Sequence, residues 1–115
     1  MRADRCQAPV DTRVAEPPRP PMDLAYMAAV LEETGAECRV KDYPMENGSW
    51  KNASVDLKSF MPDMLIISTT TPTIYDDLII CGLAKGINPG MLTVAKGAHF
   101  SVFDKEILTM FRTLD

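Results

Sequence analysis

The chain has 115 residues, 46% of them hydrophobic and 24% charged, with 12 Lys and Arg against 16 Asp and Glu for a formal charge of −4. This is globular composition, which excludes a disordered or fibrous chain, and the acidic balance argues against a general nucleic-acid binder, which needs a basic face. The length fits one domain that buries roughly two-thirds of its unfolded surface, and no apolar run approaches a membrane span. No charged-then-apolar leader opens the sequence, so a cytoplasmic protein is expected. Cys6, Cys38 and Cys81 are scattered and odd in number, which reads as reduced thiols and not as a disulfide framework or a zinc site. The N-x-Ser sequons at Asn47 and Asn52 carry no weight without a secretion signal.

Five of the nine prolines (Pro9, Pro17, Pro18, Pro20 and Pro21) fall in residues 1–21. Proline fixes φ and removes a backbone donor, so this stretch is expected to be extended or irregular, either a tail or an ordered loop. A single α/β domain is expected over 22–115.

From Met22 the pattern is helical: Leu24, Met27, Ala28 and Leu31, widened by Ala25, Ala29 and Val30, with Asp23 to cap the start and Gly35 the end. A helix apolar over most of its girth is expected to pack deep in the fold. Residues 37–43 (ECRVKDY) alternate weakly, as a short strand does. Residues 44–52 read as a loop. Residues 54–61 predict a short helix on Val55, Leu57, Phe60 and Met61.

The strongest strand signal is 64–68 (MLIIS), a continuous apolar run that suits a parallel strand covered on both faces. It ends in Ser68, Thr69, Thr70 and Thr71, ahead of a helix that Thr73 and Asp76 are placed to open as a capping box. Ile74, Leu78, Ile80, Cys81, Leu83, Ala84 and Ile87 form the expected buried face of that helix, and Asn88-Pro89-Gly90 ends it. Residues 91–95 (MLTVA) predict another strand. It leads through Lys96, Gly97, Ala98, His99 and Phe100 into a last helix, opened by Ser101 and Asp104, with Phe103, Ile107, Met110 and Phe111 inward. Alternating helices and strands predict βαβ units and a parallel sheet with helices on both faces, a three-layer Rossmann- or flavodoxin-like fold.

In such sheets ligands bind beyond the carboxyl ends of the strands, where two loops lie. Ser68, Thr69, Thr70 and Thr71 place four hydroxyls just before a helix; they either hold a polar ligand or cap the helix. In the second loop Gly97 permits close approach or an unusual φ. His99, the only histidine, is either a ligand contact or a structural residue. Phe100 reads as core, and Lys96 either meets a phosphate or is solvated. There is no Gly-rich phosphate fingerprint, Walker loop, G-x-S-x-G elbow or close Cys–His pair, so no catalytic constellation and no metal site are expected. Asp76 and Asp77 are explained by helix capping.

Taken in order, Pro20-Pro21-Met22-Asp23-Leu24-Ala25-Tyr26 through Leu31 and Gly35, then Val40-Lys41-Asp42, then residues 60–72 (FMPDMLIISTTTP), then residues 96–101 (KGAHFS), resemble the N-terminal cobalamin-binding domain of cobalamin-dependent radical SAM enzymes. Within these, the magnesium-protoporphyrin monomethyl ester oxidative cyclase group and its Fe–S oxidoreductase relatives are similar. The resemblance covers residues 17–112. It implies a flavodoxin-like domain holding cobalamin at the carboxyl edge of its sheet, with Ser68, Thr69, Thr70 and Thr71 lining the pocket of the lower-ligand tail and Gly97, Ala98, His99 and Phe100 bordering it. It also implies a radical SAM domain of the same parent chain, carrying the [4Fe–4S] cluster and S-adenosylmethionine, and therefore no catalysis by this chain alone.

The sequence departs from the family at several points. Lys96-Gly97-Ala98-His99 stands where the family has Gly-Gly-Pro-His. The D-x-H-x-x-G signature of cobalt-ligating histidines is absent, since Gly97 and Val102 occupy its Asp and Gly positions around His99. The family's first strand and its last are not visible, so the chain reads as truncated by about a strand at each end. The gap beside 64–68 is then filled by residues 1–16, by a strand from another chain (a homo-oligomer completing the sheet), or by the strands at 37–43 and 64–68 closing up in altered order. A receiver-like signalling domain needs an aspartate at the end of the central strand, where this chain has Ser68. A structural domain without a cobalamin site is the other alternative.

Overall fold

The computed structural model describes residues 20–43, 45, 46 and 48–115. Most of the proline-rich segment and the proposed role of residues 1–16 lie outside the described residues, as does Asn47. The described elements run α1 (Met22–Glu33), α2 (Trp50–Phe60), β1 (Met64–Ser68), a 3-10 turn (Thr71–Thr73), α3 (Ile74–Asp77), α4 (Ile79–Ile87), β2 (Leu92–Lys96) and α5 (Phe100–Met110). β1 and β2 pair in parallel, Met64 opposite Leu92 through Ser68 opposite Lys96. The fold is thus mixed α/β, a small parallel sheet of Rossmann- or flavodoxin-like type with helices around it.

The expected central run forms β1 at the expected residues. β2 is displaced by one residue, and Met91, expected to begin it, is instead fully buried just ahead of it. Side chains alternate across a strand, so Leu65, Ile67, Thr93 and Ala95 share one face. That face meets the core: Ala53 and Leu57 from α2, Ile74 from α3, Leu78, Ile80, Cys81 and Ala84 from the α4 region, Met91, and Ile107 from α5. Ala53 and Leu57 are one helical turn apart, as are Ile80 and Ala84, so each helix offers one stripe inward. Burial pushes the Cys81 thiol up to about 11.

The opposite face of the sheet is less covered. Met64 is 44% exposed and Leu92 41%, with Ile66 and Val94 half-buried. The covering expected on both faces from the unbroken apolar run is therefore complete on one face and partial on the other.

The first helix departs most from expectation. α1 forms over the expected residues, yet buries none of them, and Tyr26 is 71% exposed. Its apolar residues are spread around the axis and several are alanine, so no single stripe commits it to the core.

Residues 37–43 form no strand. Their charged side chains find other partners: the Arg39 guanidinium lies 4.2 Å from the centre of the Phe60 ring, and Lys41 pairs with Glu46 (3.7 Å) and Asp56 (3.8 Å). α2 begins at Trp50, inside the expected loop, because Ser49 and Asn52 close a reciprocal capping box.

The helix expected after β1 is broken into a 3-10 turn, α3 and α4, with Pro72 in the turn. The expected Thr73 box does not form; its hydroxyl donates to Asp77 Oδ2 (2.6 Å). α5 starts at Phe100 with His99 as an N-cap that makes no side-chain cap bond, so the Ser101 box is also absent. Phe103 has non-helical φ/ψ (−119°, 26°) and kinks α5, which leaves Phe103 and Met110 exposed while Ile107 stays buried.

Of the three ways to fill the gap beside β1, closing up of 37–43 against 64–68 does not occur, since 37–43 is no strand; among the described residues β1 pairs with β2 alone. Leu92 N–H donates to Asp63 O (2.9 Å) and Thr69 N–H to Lys96 O (2.8 Å). In an alternating ladder these bonds turn the backbone groups of Met64, Ile66 and Ser68 away from β2. Among the described residues no backbone group pairs with them.

The outer edge of β2 is engaged by the end of the chain. Asp115 N–H donates to Thr93 O (3.1 Å), and Thr93 N–H donates to Asp115 Oδ2 (2.8 Å). Lys85 Nζ bonds both Asp115 Oδ2 (2.5 Å) and Met91 O (2.8 Å), and Thr93 Oγ1 donates to Thr113 O (2.5 Å). These contacts, the Lys85 bond first and then the Thr93 N–H, hold the Asp115 carboxyl at about 2, below its ordinary 3.8. A folded-state value below the unfolded one lends stability that is complete above the unfolded value and fades as pH falls. Urea midpoints are therefore expected to drop as pH falls from about 4 towards 2. That part of the drop is expected to be missing in Asp115→Asn, which keeps the shape but not the charge.

Candidate functional site

The two loops at the carboxyl ends of β1 and β2 lie against each other. Thr69 is the hinge of this contact: its N–H (2.8 Å) and its hydroxyl (3.1 Å) both donate to Lys96 O, and it is buried. Gly97 follows at φ 155°, with the place of a Cβ only 2.5 Å from Thr69 O and 2.7 Å from Thr69 Oγ1. Only a residue without a Cβ fits there. One layer out, Thr71 Oγ1 and His99 Nδ1 are 3.3 Å apart. The His99 ring lies 4.9 Å from Phe103, tilted by 31°, and meets Phe100 edge-on at 6.4 Å.

The eight residues singled out from the sequence therefore divide by position. Thr69 and Thr70 are turned inward. Thr73 spends its one hydroxyl hydrogen on Asp77, so the 2.7 Å contact between Thr70 and Thr73 has Thr70 as donor. Gly97 is packed against Thr69, and Phe100 leans on the core. Ser68, Thr71 and Ala98 are exposed and His99 is half-buried, and these are the groups at this edge that a ligand can reach.

Sequence reasoning missed one participant. Asp23, in the first turn of α1, accepts from Ser68 Oγ (3.2 Å) and pairs with Lys96 Nζ. Lys96 is thus not free in solvent but is tied to a helix 73 positions earlier in the chain. The Lys96 bond is the main cause that holds the Asp23 carboxyl below its ordinary value. No local pattern announces such a pair, because each partner is ordinary in its own segment.

A shallow concavity of about 440 Å³ is lined by Lys41, Tyr43, Glu46, Gly48 and the first turns of α2. Tyr43 OH donates to Asp56 Oδ2 (2.8 Å) there, and partial burial together with that carboxylate raises its phenol well above the usual range. Among the described residues no three His, Cys, Asp or Glu side chains gather to hold a metal ion, and no helix is long and apolar enough to cross a membrane.

The chain matches no protein-family model and no solved structure. It is 31% identical over 87 residues to a protein of Pyrococcus horikoshii named as an uncharacterised methyltransferase, a match that covers 76% of this chain. The chain spans 19% of the length of that relative.

Proposed function

We propose that this chain is the cobalamin-binding part of a methyl-transferring radical SAM enzyme. The observation that carries the reading is the pairing of the Ser68–Thr71 and Gly97–Phe100 loops at the carboxyl edge of a parallel sheet, the usual ligand edge of α/β folds. The methyltransferase name of the relative favours methyl transfer over oxidative cyclisation as the parent activity. On this reading Ser68, Thr71, Ala98 and His99, the exposed or half-buried members of the loops, would meet the amide- and hydroxyl-rich rim of the cofactor, while Thr69, Thr70, Gly97 and Phe100 hold the two loops in place. When bound, cobalamin supplies methyl-transfer chemistry at its metal.

On this reading the iron–sulfur cluster, S-adenosylmethionine and the substrate belong to another part of the parent protein, and the chain alone catalyses nothing. A further strand, from a second copy or from the parent, pairs with the outer edge of β1. One specific observation favours a second reading, a structural domain without cofactor: Thr69 and Gly97 touch, which closes the space between the loops.

Titration with hydroxocobalamin separates the two readings. Binding with a change in the visible spectrum, weakened about tenfold in Ser68→Ala/Thr71→Ala, is expected for the loss of two hydrogen bonds. Absence of binding at high micromolar cofactor leaves the structural reading.

A further inference from the structure

The carboxylate of Asp23 sits where the two strand ends offer a cation and a hydroxyl side by side. Ser68 ends β1 and Lys96 ends β2; they are opposite each other in the ladder and so project from the same face of the sheet. An ammonium and a hydroxyl converging on one carboxylate oxygen make an oxyanion site, and here the oxyanion is part of the chain. The helix that carries it has little else to hold it down, since α1 buries no residue and Tyr26 and Val30 lie open to solvent. Asp23 is bonded in α1's first turn, so its release frees the start of the helix from the sheet.

We propose that Lys96 Nζ and Ser68 Oγ form a binding site for a small oxyanion, the phosphate or carboxylate group of a ligand, and that Asp23 occupies this site as an internal competitor whose displacement releases α1. The inference does not rest on the cofactor reading, because it requires only these three side chains. It assigns Lys96 a ligand-facing role and gives α1 two positions: docked when Asp23 fills the site, and released when a ligand does. No bond is made or broken; one anion replaces another beside the same cation.

The test uses the 115-residue chain, titrated with inorganic phosphate and, separately, with acetate at constant ionic strength. The readout is the amide shifts of Ser68, Thr69, Lys96 and Gly97. Asp23→Asn removes the competing charge and is expected to bind at least one of the two anions ten times more tightly than the unaltered chain. The anion that gains more identifies the ligand class. Adding Lys96→Gln to Asp23→Asn is expected to abolish that gain. In the unaltered chain, saturating anion is expected to speed hydrogen exchange in α1 while leaving α4 unchanged, which reads release without any substitution. Equal anion affinity with and without Asp23, a gain that survives Lys96→Gln, or α1 exchange indifferent to the anion overturns the proposal. Hydroxocobalamin titration of the same variants keeps the two ideas apart. Tightened anion binding without cobalamin binding supports this site and overturns the cofactor reading, and cobalamin binding with unchanged anion affinity does the reverse.

Discussion

Gly97→Ala is expected to lower the stability of the chain by about 2–4 kcal/mol, from about 1–3 kcal/mol of backbone strain plus a similar cost of overpacking, partly relieved by relaxation. The added Cβ meets Thr69 O at 2.5 Å and Thr69 Oγ1 at 2.7 Å, both closer than carbon and oxygen tolerate. Thr69 cannot retreat, because its N–H and its hydroxyl are both bonded to Lys96 O and its side chain is buried. The φ of 155° adds strain for any residue with a Cβ. Relief therefore requires parting the ends of β1 and β2, which also parts the two loops of the candidate site. Gly86→Ala serves as the control. It lies in α4 with nothing near the added methyl, and is expected to gain about 0.5–1 kcal/mol from helix propensity. Urea unfolding followed by circular dichroism checks both, and a Gly97→Ala chain as stable as the original contradicts the packing argument.

The parts of the fold legible in the sequence are those decided by local pattern. The run at 64–68 is too short and too continuously apolar for a helix face, and it forms β1 at those residues. The spacing of Ile80, Cys81 and Ala84 makes α4's stripe equally plain. What failed was decided by distant partners. Residues 37–43 alternate weakly but form no strand, and the side chains of Arg39 and Lys41 meet Phe60, Glu46 and Asp56. α1 was identified as a helix but placed wrongly, since its docking runs through Asp23 and Lys96. Two capping boxes were read from spacing alone, and in both cases the hydroxyl or the backbone took another partner: Thr73 turned to Asp77, and α5 began one residue before Ser101.

The same division holds for the candidate site. That two loops share the carboxyl edge follows from strand order, and both segments were visible as hydroxyl-rich or glycine-containing punctuation. Which hydroxyls face out does not follow from strand order. Thr69 and Ser68 are neighbours of opposite orientation, as the period of a strand requires, and only their register against β2 decides that Ser68 meets Asp23 while Thr69 locks onto Lys96 O.

Ile74→Ala is expected to cost about 2–5 kcal/mol, the range for truncating a fully buried aliphatic side chain when the cavity does not collapse. Ile74 is 2% exposed and is among the largest of the fully buried side chains. It opens α3 directly after the threonine turn, next to Leu78, which is equally buried. Collapse around the gap is opposed on the chain's own sides, since Thr73 is fixed to Asp77 and Leu78 N–H is bonded to Ile74 O (2.9 Å). Against a total stability of roughly 5–15 kcal/mol for a domain of this kind, such a loss leaves little reserve. The consequence reaches the candidate site, because Ile74 is the first buried apolar residue after the Ser68–Thr71 loop and keeps the 3-10 turn seated on the core. Hydrogen exchange is therefore expected to rise at Thr73 and Leu78, with Ile74→Val, which keeps most of the volume, costing only about 0.5–1.5 kcal/mol. Equal losses for the two substitutions would mean that the site tolerates no change in shape at all, whereas a small loss for Ile74→Ala would mean that the core closes over the gap and that the turn is held by its hydroxyl bonds alone.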